Sequence, residues 1–326
     1  MQQVVLSEPG TFAMTEFTPP TRQPGEALLD IRRIGVCGTD LHAFAGNQPF
    51  FSYPRRLGHE LGAVILEVDA DNPQGLKVGD QVAVEPYVHC GKCKPCLLGR
   101  YNCCETLVCL GVHEDGGMCP TFCVSTALLH KSDKLSLDQL ALVETLGIGA
   151  HAVERAEIQP GEDILIVGAG PIGLAAMQFA AAAGANIHVL ELSPSRREFV
   201  ESLGYTTFSD TPKRLFPLVI DATGNSKAMQ NSLLLTDFVG RLVFVGLVNG
   251  HIELDDRVLH RREITIKASR NSAGLFPKII KMIEEGAIDT GPWITHRLQF
   301  DQVVNEFQHL RSHQNLVKAM IEVPAV

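Results

Sequence analysis

Four cysteines, Cys90, Cys93, Cys96 and Cys104, stand in a C-x2-C-x2-C-x7-C array. Two short steps and one return suit a tetrahedral Zn²⁺ site, and a site whose four ligands all come from protein leaves no position for substrate. Gly91, Pro95 and Gly99 supply turns that aim successive sulfurs inward. The expected role is structural. Cys103 could replace Cys104 as the fourth ligand, and the spacing favours Cys104. A sparser set comprises Cys37, in Cys37-Gly38-Thr39-Asp40-Leu41-His42, and the adjacent His59 and Glu60. Thiolate, imidazole and carboxylate are zinc ligands, and three of them plus water is the make-up of an open, reactive site, although spacing alone does not establish one here.

A third group reads as a phosphate cradle. Gly168-Ala169-Gly170-Pro171-Ile172-Gly173 matches G-x-G-x-x-G, in which the first glycine permits the turn, the second admits a pyrophosphate and the third lets helix pack on strand. Glu191 follows at the end of the next aliphatic run. Its carboxylate can accept both adenosine-ribose hydroxyls and would repel a 2′-phosphate, which favours NAD over NADP. Arg196 and Arg197, just beyond it, are the groups that would turn toward a phosphate; Arg196 is expected near the cofactor.

These groups need elements to hold them. Up to about residue 147, short runs at 28–31, 63–68 and 81–84 are separated by turn signals such as Pro24-Gly25 and Val78-Gly79-Asp80, the texture of a β-rich unit. From about residue 148, continuous aliphatic runs at 164–167, 187–190, 218–220 and 242–245 alternate with helical stretches, as in a parallel sheet covered on both faces. The expected class is therefore α/β, with a doubly wound nucleotide domain. Helices are expected over 276–285 and 301–311 and a strand over 316–323, the tail returning to the first domain. Between strands ending near Phe208 and starting near Leu218 there is too little chain for a normal crossover helix, so that helix is expected to be shortened or absent.

Composition bounds the partners. A formal charge of −9, from 28 Lys plus Arg against 37 Asp plus Glu, leaves no basic surplus for a nucleic-acid backbone. Residues 164–185 are uncharged and long enough to cross a bilayer, but the glycines and proline early in that stretch fit strand, turn and Ala-rich helix better. No export signal is visible in the opening residues, so a cytoplasmic protein is expected. Most of the nine cysteines cluster between Cys90 and Cys123, which in a reducing compartment points to metal rather than disulfides.

Taken in order, the 37–42 stretch, Gly58-His59-Glu60, the cysteine array, the acidic Val143-Glu144-Thr145 segment and the glycine turn resemble the zinc-dependent medium-chain alcohol dehydrogenases over essentially the whole chain. Glu144, where ethanol-type members carry a thiolate, resembles the polyol (sorbitol) and threonine dehydrogenase branch. The resemblance implies a GroES-like catalytic domain at 1–147 holding both zinc sites, a Rossmann NAD-binding domain at 148–272, and a segment at 273–326 returning to the catalytic domain, with the active site in the cleft. It implies a catalytic zinc on Cys37, His59 and either Glu60 or Glu144, with Asp40 orienting the His59 ring. Thr39 and His42 would carry the alcohol proton outward by way of a cofactor ribose hydroxyl while hydride passes to NAD. A homo-oligomer, dimer or tetramer, is implied as well, with sheet-edge pairing near 242–247.

A finer likeness, in residues 46–55 and in Ser269-Arg270-Asn271, is to bacterial L-galactonate 5-dehydrogenases and related sugar-acid oxidoreductases of carbohydrate metabolism. It makes Arg270 a candidate partner for a substrate carboxylate. Neutral-polyol and L-threonine oxidation are the alternative activities, and a non-catalytic member of the fold is a remote one.

Overall fold

The computed structural model describes every residue except Phe50 and Gln314. Phe50 belongs to the 46–55 stretch, and that part of the likeness lies outside the described residues. The chain divides into two units, Met1–Glu144 with Phe276–Val326, and Thr145–Leu275. The cuts fall at 144/145 and 275/276 rather than at 147/148 and 272/273, the first of them inside a continuous helix.

The first unit opens with the hairpin β1 (Gln2–Glu8) and β2 (Thr11–Glu16). There follow β3 (Glu26–Val36), α1 (Gly38–Phe44), β4 (Glu60–Val68), β5 (Gln81–Val84) and the two-residue β6 (Tyr87–Val88). The cysteine lobe contains α2 (Lys94–Leu97) and closes on β7 (Val108–Cys109); β8 (Thr121–Ser125), β9 (Leu129–Lys131) and the long α3 (Leu137–Ala156) come next. In the second unit the order is β10 (Asp163–Val167), α4 (Pro171–Ala182), β11 (Asn186–Leu190), α5 (Pro194–Ser202), β12 (Thr206–Phe208), β13 (Phe216–Asp221), α6 (Ser226–Leu235), β14 (Thr236–Phe244), α7 (Asp256–Arg262) and β15 (Thr265–Ala268). The tail, α8 (Phe276–Glu284), β16 (Ile294–Gln299), α9 (Val303–Glu306) and β17 (Lys318–Glu322), belongs to the first unit.

In that unit the main sheet runs β16-β17-β3-β4-β5-β9, with β8 also on β3. Leu29, Ile31, Ile34, Leu61 and Ile65 are at most 1% exposed in its core. Burying each such side chain contributes about 1.5–3 kcal/mol, which fixes β3 against β4. Because β17 pairs antiparallel with β3, Ala319 opposite Val36, the last strand delivers Lys318 next to the chain segment that leads into Cys37.

The second unit is a six-stranded sheet in the order β12-β11-β10-β13-β14-β15, each neighbouring pair parallel. This is the 3-2-1-4-5-6 doubly wound order, in which the order of the strands, not their direction, reverses at β10/β13 and leaves a ligand crevice at the strand C-termini. The 164–185 stretch is split between β10 and α4, and among the described residues no helix is long and apolar enough to cross a membrane. Among the described residues no helix lies between β12 and β13. The chain crosses three strand spacings, ~14 Å, and the span from Phe208 to Phe216 reaches at most ~26 Å, so a bare segment suffices. Phe216 packs on His188 (5.4 Å between ring centroids) and Phe208 (6.3 Å), while Arg214 lies 4.4 Å over Phe216 and bonds Asp163 at 2.7 Å.

Two expectations need correction. Residues 242–247 do not form a free edge, since β14 is paired on both sides and β15 is the terminal strand. The helix expected over 301–311 is a broken one: α9 lies between 3-10 turns at Phe300–Gln302 and Phe307–Ser312. Its apolar positions Phe300, Val303, Phe307 and Leu310 are still buried, so core contact preserves the spacing while the helical pitch changes.

Candidate active site

In the lobe, the sulfurs of Cys90, Cys93, Cys96 and Cys104 all lie within 4.8 Å of one another. Cys93 Sγ is 3.4 Å from Cys96 Sγ and 3.8 Å from Cys104 Sγ. Four sulfurs about 2.3 Å from one zinc stand roughly 3.8 Å apart, so the arrangement fits that ion with little adjustment. Backbone N–H groups donate to these sulfurs, Cys90 N to Cys104 Sγ and Cys93 N to Cys90 Sγ, each at 3.3 Å. Such donors bring the Cys90 thiol down to about 6, and they lower Cys104 as well, whereas desolvation pushes Cys96 up to about 12. Cys104 is buried and grouped with the others, while Cys103 is exposed.

The Cys37 set, the first site along the chain, is assembled from five elements. Cys37 precedes α1 and donates its backbone N–H to Asp40 Oδ2 at 2.9 Å. His59 and Glu60 enter at the start of β4. Donor atoms of Cys37, His59 and Glu60 meet within 4.8 Å. Glu60 fits there because position 35 is glycine: a Cβ on Gly35 would stand 2.0 Å from Glu60 Oε2. At Gly62 the missing side chain lets β4 approach Leu137 O, which a Cβ would meet at 2.2 Å, and so brings α3 with Glu144 over the same site. Lys318, from β17, donates to both Glu60 oxygens at 2.7 and 2.8 Å. Tyr87, from β6, donates its hydroxyl to Glu144.

Charge explains why a cation belongs here. Asp40, Glu60 and Glu144, each at most 4% exposed, stand with the Cys37 sulfur around two basic groups, Lys318 and His59. A divalent ion would compensate buried anions that are otherwise costly. Burial lifts the Glu144 carboxyl above its ordinary value, with His59 opposing and Glu60 reinforcing. Burial disfavours the Lys318 ammonium, yet Glu60 outweighs it, helped by Cys37, and its pKa rises. His59 behaves alike: desolvation acts against its charged form, and Asp40 with Cys37 carries it well above the histidine range. Asp40 Oδ1 stands 3.5 Å from His59 Nδ1, an ion-pair contact without hydrogen-bond geometry that turns Nδ1 toward Asp40 and leaves Nε2 for a metal. Thr39 and His42 lie one turn apart on α1; His42 is exposed, with Nδ1 2.9 Å from Asn47 Oδ1.

In the second unit the glycine turn leads from β10 into α4 as its motif requires. A Cβ on Gly173 would lie 1.9 Å from Gly168 O, whereas one on Gly170, at the helix N-cap, would meet nothing within 4 Å, which is the open space a pyrophosphate fills. Pro171 and Ile172 form the first turn of α4. Glu191 accepts from Ala169 N and Ser193 N, both at 2.8 Å, one on each oxygen. That fixes the carboxylate and leaves lone pairs for ribose hydroxyls. Arg197 donates to the backbone oxygens of Glu191 and Leu192 at 3.0 and 2.8 Å, Arg196 is exposed on α5, and Arg270 is exposed just after β15.

Comparison with known proteins agrees with this chemistry. Residues 23–134 match the alcohol dehydrogenase GroES-like domain and residues 171–285 the zinc-binding dehydrogenase domain. L-Galactonate-5-dehydrogenase of Escherichia coli (strain K12) is 39% identical over 336 residues, covering 98% of both chains. This chain belongs to the zinc-dependent medium-chain alcohol dehydrogenase family. Sorbitol dehydrogenase of Bacillus subtilis (strain 168) is 31% identical over 98% of this chain and 97% of its own. The crystal structure of an alcohol dehydrogenase (rspB) from E. coli CFT073, complexed with NADH, superposes with a TM-score of 0.93 at 28% identity over 99% of both chains.

Sequence reasoning missed several residues of this dehydrogenase's site. Lys318 left a signal, a lone cation opening the apolar run 319–321, and it is 2% exposed. Tyr87 left none. Cys109, opposite Tyr87 in the β6–β7 pair, is buried beside the first site; desolvation pushes its thiol up to about 12, with His59 opposing and Glu144 reinforcing. Leu192 and Leu247, 74% and 68% exposed after β11 and β14, are apolar side chains at the strand ends where the fold binds nucleotides.

Proposed function

We propose that this dehydrogenase reversibly oxidises a secondary alcohol of a sugar acid or polyol with NAD as hydride acceptor, an L-galactonate-type aldonate being favoured. The convergence of the Cys37, His59 and Glu60 donors in a buried, anion-rich pocket carries the reading, because it is a three-ligand set with a further carboxylate beside it. Zinc bound there supplies Lewis acidity toward the substrate oxygen, and NAD supplies the hydride acceptor. Cys37, His59 and Glu60 hold the ion, and Asp40 sets the ring of His59. Thr39 takes the hydroxyl proton, and His42, one turn along α1 and at the solvent, passes it out. Tyr87, Cys109 and Val112, packed with Phe51, form an apolar wall that excludes water. The cysteine lobe holds a second, structural zinc. Glu191 binds the adenosine ribose, the Gly168–Gly173 turn cradles the pyrophosphate, and Leu192 and Leu247 offer apolar faces to the rings.

The aldonate preference rests on the 39% identical relative, and Arg270 is the proposed partner of the carboxylate. The sorbitol dehydrogenase relative favours a neutral polyol as the second reading. Rates on L-galactonate, other aldonates, sorbitol and L-threonine, with NAD⁺ and NADP⁺, are read by absorbance of the reduced cofactor. The expected best pair is an aldonate with NAD⁺, and Arg270→Ala should lose aldonate oxidation selectively. Preference for a polyol by tenfold or more, or equal loss on both substrates in the variant, would sink the aldonate assignment.

A further inference from the structure

Glu60 belongs to the ligand set with Cys37 and His59 and Glu144 interacts with it from outside, and the two carboxylates are held differently. Glu60 is clamped by Lys318 through both oxygens, whereas Glu144 accepts, among the described residues, a hydrogen bond from the Tyr87 hydroxyl. Tyr87 is 3% exposed and its backbone is fixed opposite Cys109 in the β6–β7 pair, so the hydroxyl has little freedom to leave. That pair is also the root of the cysteine lobe: Tyr87 lies three positions before Cys90, and Cys109 five after Cys104. Glu144, on α3, interacts electrostatically with both His59 and Glu60, which places it close to the ligand set. A carboxylate this close, if unrestrained, is an additional protein ligand. A site closed by four protein ligands has the composition of a structural centre and no vacancy for substrate.

We propose that Tyr87 is a positioning residue that restrains Glu144 through its hydroxyl, keeping this carboxylate beside the metal position without closing it. The inference rests on the proposed metal at Cys37, His59 and Glu60. Loss of the hydroxyl frees Glu144 to ligate, so the site retains its ion more tightly and accepts exogenous ligands less well. Tyr87→Phe removes one oxygen and keeps the packing against Cys109 and Val112. Glu144→Gln removes the anionic ligand itself.

The test uses Co²⁺-substituted enzyme, with metal release to a chelator and the visible spectrum with and without imidazole as readouts. Wild type is expected to hold two equivalents per chain and to change its spectrum when imidazole enters the open position. Tyr87→Phe is expected to release its first-site metal about tenfold more slowly, to show a damped imidazole response, and to turn over more slowly. Adding Glu144→Gln to it should restore the faster release, a rescue that a purely structural role for Tyr87 would not give. Release from Tyr87→Phe at the wild-type rate or faster, with a normal imidazole response, overturns the inference. A wild-type protein holding one equivalent and blind to imidazole overturns instead the reading of a metal at Cys37 and His59.

Discussion

The two metal-ligand sets of the first unit differ in how they are made. The lobe takes its four sulfurs from a span of fifteen residues, 90–104, and points backbone N–H groups at them. The other takes Cys37 from the start of α1 and His59 and Glu60 from the start of β4, with Lys318 and Glu144 added from far along the chain. Sulfur suits the lobe because thiolates can be stabilised locally, in half-exposed surroundings, by turns the chain makes anyway. The carboxylates around Cys37 and His59 are buried, where each anion must be balanced by a group that only the fold can bring. A closed, local site gives stability; an open, assembled one gives reactivity.

The sharpest way to break this contrast is at Cys37. Cys37→Ser should lower kcat/KM on the order of 10⁴-fold, the several kcal/mol that a Lewis acid supplies, and reduce metal content from two to one per chain by elemental analysis. Full activity, or two retained ions, would show that the assembled set is not the reactive one. Next in size is Cys93→Ser, which should cost on the order of 4 kcal/mol of stability. Calorimetry measures that loss, and metal analysis should find the first-site ion still present. Loss of both ions together would mean that the sites are not independent.

A smaller effect separates the thiols themselves. In metal-free protein, backbone donors keep Cys90 ionised down to about pH 6, while burial holds Cys109 and Cys119 up at about 12. Iodoacetamide followed by peptide mass mapping should label Cys90 well ahead of these two. Its rate should be flat above that pH and fall about tenfold per unit below it, because only the thiolate reacts. Labelling of Cys109 first would contradict the lobe as the thiolate-stabilising region.

How much of this was readable beforehand follows the same division. The Cys90–Cys104 array and the Gly168–Gly173 turn are short-range patterns, and each sits in the element its residues imply. The missing helix after β12 was legible as a shortage of chain. Which carboxylate stands nearer Cys37 and His59 was not: Glu60 and Glu144 are equal candidates by type, and only the fold groups Glu60 with those two donors. Pairing near 242–247 was misread because an aliphatic run looks the same in a central strand and at an edge; only the position of β15 tells them apart.

By itself, then, the sequence determined the donor chemistry, the closed four-sulfur set and the nucleotide turn, since ligand type and spacing over a few residues are local properties of a chain. The tertiary structure decided which anions share a pocket and what restrains each of them. Antiparallel pairing of β17 with β3, and the close approach of β4 to α3 at Gly62, bring together residues that no sequence interval relates.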